Sequence, residues 1–94
     1  MSTKAERRAA RETIAKYHEE QLGELVGRVG AAVDRFDRGE QNAFEVDEQL
    51  FQYSRAAKEL WKFCNLGNVE ITARVIRDDP PIDWWDRGAR RDRR

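Results

Sequence analysis

The chain holds a single histidine, His18, and a single cysteine, Cys64. An imidazole beside a thiol can act as base and nucleophile, and the same two groups make half of a tetrahedral zinc site. Folding a helical hairpin about Gln41 sets His18 beside Phe63 and Cys64, near Trp61. Nucleophilic catalysis would also need an orienting group and oxyanion donors, and zinc would need ligands from a second subunit. No third group is evident, so the pair reads first as a partly buried histidine and a cysteine serving as a small apolar residue. A small metal-binding or enzymatic protein built on His18 and Cys64 is the alternative it carries.

A second stretch with site-like chemistry is FDRGEQNAFEVDEQL, from Phe36 to Leu50. A calcium loop needs oxygen ligands at positions one, three and five, glycine at six and glutamate at twelve. Placing Gly39 at six puts Asp34 at one and Glu45 at twelve, but Phe36 at three and Arg38 at five. A phenyl ring and a cation do not coordinate calcium. The stretch reads instead as the bend of an αα-hairpin, with Gly39 in the left-handed position after the first helix and Asn42 capping the second. The sequence thus names no catalytic residue, no metal site and no cofactor, and no small-molecule substrate is evident.

Other residues point to contacts. Gly23, Gly27 and Gly30 line one flank of a helix, where small side chains admit another backbone or a large ring; Phe44, Phe51 or the tail tryptophans are the rings available. Trp84 and Trp85 are adjacent indoles in a short tail after two prolines; they dock on a helix surface, of this chain or of a partner. Gly23, Gly27, Gly30, Phe44, Phe51, Trp84 and Trp85 are therefore the candidate partner-binding residues. Lys4, Arg7, Arg8 and Arg11 line up at helical spacing and, with Arg87, Arg90, Arg91, Arg93 and Arg94, are the candidate phosphate contacts of a nucleic-acid-associated protein. Asp83, Asp86 and Asp92 dilute that tail, and no nucleic-acid-binding motif accompanies it.

The elements that must position these residues follow from composition and periodicity. The chain has 94 residues, 38% charged and 39% hydrophobic, with zero formal net charge. That is one small domain with a thin core, for which a second copy is a natural source of missing apolar contact. The balanced charge gives no global pull toward nucleic acid or anionic lipid. MSTKAERRAARE lacks the apolar stretch of a secretory signal, no run is long enough to span a bilayer, and a lone cysteine fits a reducing cytoplasm.

TKAE is a capping box opening a helix over about residues 3–38, with Ile14, Leu22, Leu25, Val26, Val29, Ala32, Val33 and Phe36 as its apolar stripe. NAFE opens a second over about 43–64, with Ala43, Val46, Leu50, Tyr53, Ala57, Leu60, Trp61 and Cys64 on one face. NVEITARVIR fits a strand or a helix. A lone strand would have no partner among helices, so a short helix over about 68–77 is expected, stopped by DDPP. Residues 81–94 form a Trp- and Arg-rich tail, expected to be partly disordered.

FDRGEQNAFEVDEQL, AAKELWKFC and DWWDRGARR together resemble small, uncharacterised helical proteins of actinobacteria, from Tyr17 onward. The resemblance implies a bacterial cytoplasmic setting and a helical third segment; it brings no activity, cofactor or catalytic residue. The expectation is an all-α chain in which a long antiparallel hairpin, a short third helix and the tail pair with a second copy as a four-helix bundle. Its expected role is non-enzymatic protein–protein interaction.

Overall fold

The computed structural model describes residues 3–90. They form four helices, α1 (Lys4–Asp37), α2 (Ala43–Asn65), α3 (Val69–Arg77) and α4 (Trp84–Arg87), and no strand occurs among them. The caps that the sequence announces are made. Thr3 Oγ1 accepts from the Glu6 amide at 3.1 Å while Glu6 Oε1 accepts from the Thr3 amide at 3.1 Å. Asn42 and Glu45 repeat the exchange at 2.9 Å in each direction. Asn68 Oδ1 accepts from the Glu70 and Ile71 amides at 3.0 and 3.1 Å, so the ambiguous third segment starts as a capped helix. These bonds satisfy first-turn amides that have no partner within the helix.

The bend is a turn. Gly39 adopts φ +77, the left-handed conformation that costs a side-chain-bearing residue. Arg38, which would have to ligate calcium, instead pairs with Glu40 at 2.8 Å.

Helix α1 packs along α2 and, near its start, against α3, while α4 lies mainly on α2. The first turns of α1 hold only alanines as apolar residues. One of them, Ala10, is 2% exposed within the core that also includes Ala73 of α3. The buried core is Ala10, Ile14, Leu25, Ala56, Leu60, Cys64, Ala73 and Trp84.

The buried face of the hairpin is rotated from the one its apolar residues mark. On α1 the inward line is Ala10, Ile14, Tyr17, Gln21, Leu25, Ala32 and Arg35, all buried or half-buried. Val26, Val33 and Phe36, expected on that face, remain exposed. On α2, Gln49, Gln52, Ala56, Leu60 and Phe63 turn inward, whereas Leu50 and Trp61 do not. Residues 82–89 do not trail away but fold back over one side of the hairpin, drawing Gln52 and Ala56 into the interior. Arg91, Arg93 and Arg94 lie outside the described residues.

The tail is fastened at two places, around Trp84 and around Gly88. Trp84 is 3% exposed, and its indole Nε1–H donates to Tyr17 Oη at 2.8 Å. Phe63 lies between these two rings, with centroids 5.9 Å from Tyr17 and 5.3 Å from Trp84. Further on, Gly88 is pressed against the α2 backbone, while Arg55 Nε donates to its carbonyl at 2.6 Å and Gln52 Nε2 to that of Trp85 at 2.9 Å.

Candidate interaction surface

With the tail on one side, the opposite side of the hairpin is left open among the described residues from Leu22 to the bend, Val69 of α3 lying near its start. Along α1, steps of three and four residues connect Arg8, Arg11, Ala15, His18, Leu22, Val26, Val29, Val33 and Phe36, each exposed or half-buried. Such spacing places them on one helical line beside the inward one. Along α2 the matching line is Val46, Leu50, Tyr53, Ala57 and Trp61. Antiparallel packing brings the two lines to the same side. Large apolar side chains therefore stand in solvent together: Val26 53%, Val33 42%, Phe36 45%, Leu50 45% and Trp61 50% exposed. Single exposed hydrophobics are ordinary, but a contiguous strip along two helices is characteristic of an interaction face.

Charge grades along this surface. Lys4, Arg8 and Arg11 occupy its start on α1, and Asp37 and Asp47 flank it at the bend. All five are exposed, so the strip has a basic end and an acidic end.

The other sequence-identified residues fall elsewhere. Gly23, Gly27 and Gly30 face solvent on the outer side of α1, and a Cβ built on any of them meets nothing within 4 Å. Neither the phenylalanines nor the tail fills that flank. Phe44 and Phe51, 85% and 56% exposed, lie on the back of α2, away from α1. Trp84 is an interior residue with no surface to offer a partner, and Trp85 is half-buried with the Arg28 guanidinium over its ring at 5.7 Å. Lys4, Arg7, Arg8 and Arg11 are exposed on the first turns of α1.

His18 and Cys64 do come together, as walls of a cleft of about 360 Å³ that Arg11, Ile14, Asn65 and Val69 help to line. Burial pushes the Cys64 thiol up to about 11, so it is protonated at neutral pH and is a poor nucleophile there. Among the described residues no group of three or more His, Cys, Asp or Glu is placed to hold a metal ion. No described helix is long and apolar enough to cross a membrane.

Sequence reasoning missed Gly88 and the inward polar residues Arg35, Gln49 and Gln52. Gly88 had a visible signal, a glycine three residues after a tryptophan pair. The polar residues had none, because their burial depends on where the tail docks.

No protein-family model matches this chain, and neither the curated proteins nor the solved structures compared with it include a similar one. The functional reading rests on the residues themselves.

Proposed function

We propose that this chain is a non-enzymatic helical interaction module that self-associates, pairing two hairpins through their uncovered sides into a four-helix bundle. The observation that carries the reading is the strip Val26, Val33, Phe36, Leu50 and Trp61, apolar along both helices and open to solvent. A second hairpin has the same shape and length and would bury both strips at once. The graded charge supports an antiparallel arrangement, the basic end of one copy against the acidic bend of the other. A bacterial cytoplasmic setting is part of the same proposal.

Molar mass by light scattering after size exclusion tests it. The expected result is a dimer for the native chain and a helical monomer for Val26→Glu and Val33→Glu. A native chain that is monomeric at all accessible concentrations overturns the proposal. Binding of a mixed-sequence duplex through Lys4, Arg8 and Arg11, weakening steeply with salt, would instead favour a nucleic-acid-associated role.

A further inference from the structure

The inward line of α1 changes character halfway along. From Ala10 to Leu25 it is apolar apart from Gln21; past Leu25 its only apolar residue is Ala32, Arg35 is half-buried and Arg28 exposed at its edge, and α2 faces them with Gln49 and Gln52. Apolar residues were not lacking there, since Val26, Val29, Val33 and Phe36 continue on the neighbouring line. Polar side chains thus stand where the hairpin would ordinarily complete its own core. Together with Ala31 and Trp85 they line an open cleft of about 400 Å³.

We propose that this cleft binds a small molecule bearing a phosphate or carboxylate group. No carboxylate lines it, and among the described residues neither Arg28 nor Arg35 makes an ion pair. The neighbouring acids, Glu24 and Asp83, line an adjoining cleft that shares Arg28 and Trp85 with this one, and neither is within ion-pair distance of Arg28. Two guanidinium groups two helical turns apart on one line, neither in an ion pair among the described residues, form a site for an oxyanion, whose geometry matches the guanidinium fork.

The donors are held in place and remain available. Arg35 spends one N–H on Gln49 Oε1 at 3.2 Å, and Gln49 Nε2 is itself anchored on Gln41 Oε1 at 3.0 Å. Among the described residues the other four guanidinium donors of Arg35 make no hydrogen bond. Arg28 lies over Trp85, which leaves its N–H edge accessible, and Gln52 holds the Trp85 backbone by the 2.9 Å bond to its carbonyl. The volume exceeds what a lone oxyanion fills and lies at the small end of ligand sites, leaving room for a modest organic group against Trp85. The cleft is on the tail side of the hairpin, so its occupancy does not depend on pairing through the other side.

Isothermal titration at low salt with inorganic pyrophosphate and with citrate tests the site. Saturable binding to one site per chain is expected, weakening with added sodium chloride. Arg28→Gln and Arg35→Gln should each lower the affinity at least tenfold with helicity and molar mass unchanged. Arg35→Lys, which keeps the charge and loses the fork, should fall between. If Arg35→Gln disturbs folding, Arg28→Gln carries the test, because Arg28 makes no hydrogen bond among the described residues. The combined Arg8→Gln, Arg11→Gln variant should bind as the native chain does. No saturable heat at millimolar probe, an affinity indifferent to both cleft arginines, or an equal loss in the Arg8 and Arg11 variant overturns the proposal.

Discussion

One substitution, glycine to alanine, has opposite expected signs at different positions of this chain. At Gly88 a new Cβ would collide with the Gln52 carbonyl oxygen and stand 2.5 Å from Ala56 N and 2.7 Å from Ala56 Cβ. These atoms belong to the α2 backbone or its root and cannot swing aside, so Gly88→Ala should lift the tail and cost about 1–3 kcal/mol, as overpacking does. At Gly23, Gly27 and Gly30 the same methyl meets open space, and each change should add up to about 1 kcal/mol through helix propensity. Urea unfolding of the four variants checks both signs. Cys64 supplies a second prediction at this scale. Its thiol ionises near 9.0 when unfolded and near 11 in the fold, because burial disfavours the thiolate. Below pH 9 both states hold the proton; above it the unfolded chain releases its proton first. Stability should therefore be full below about pH 9 and fall as pH rises toward 11. Cys64→Ala should flatten that part of the curve, leaving the later decline from Tyr17, whose hydroxyl burial also raises above 10.0.

The helices were legible because their ends are written locally. Thr3 with Glu6, Asn42 with Glu45, and Asn68 each announce a start within four residues, and Gly39 announces the bend. The face each helix buries was legible only in part. Periodicity reports where apolar residues lie, and on α1 it cannot separate the interior line through Leu25 and Ala32 from the neighbouring line through Val26 and Val33. The line that turns inward is the one the tail meets, through a contact more than sixty residues distant that leaves no local trace. Of the candidate site, the pairing of His18 with Cys64 was readable from hairpin register, whereas the inward arginines and glutamines were not. The tail's leverage makes Trp84 the residue on which the element arrangement depends. Trp84→Ala should cost about 3–5 kcal/mol, the range for emptying a tryptophan site. Tyr17→Phe removes only the acceptor for the indole N–H and should cost about 1–3 kcal/mol. Chemical denaturation and near-ultraviolet circular dichroism check the pair. Equal, small losses would mean that the tail contributes little to the folded hairpin.

At the scale of the molecule, apolar area and charge have separable roles in the proposed pairing. The strip from Leu22 to Phe36 and from Val46 to Trp61 would supply most of the affinity, since burial of apolar surface scales with area and is indifferent to direction. Direction must come from something that differs between the ends, and here that is charge: Arg8 and Arg11 at one end, Asp37 and Asp47 at the other. In an antiparallel dimer unlike ends meet, so Arg8→Glu with Arg11→Glu places acid against acid and should weaken association. Asp37→Lys with Asp47→Lys should weaken it similarly from the other end. Combining all four restores opposite charges at each junction and should recover the native affinity. In a parallel dimer like ends meet. There the combined variant would still juxtapose like charges, and neutralising Arg8 and Arg11 to Gln would tighten the pairing instead. Exposed pairs contribute roughly 0.2–1 kcal/mol each, so a few together should move the dissociation constant by about tenfold at low salt. The difference should shrink as salt rises toward physiological ionic strength and beyond. Sedimentation equilibrium of the native chain, the two double variants, the quadruple variant and the Arg8→Gln, Arg11→Gln variant at two salt concentrations therefore reads the orientation directly. A dimer whose affinity ignores all of these changes would be oriented by the shape of the strip alone, with Trp61 and Phe36 as the next residues to alter.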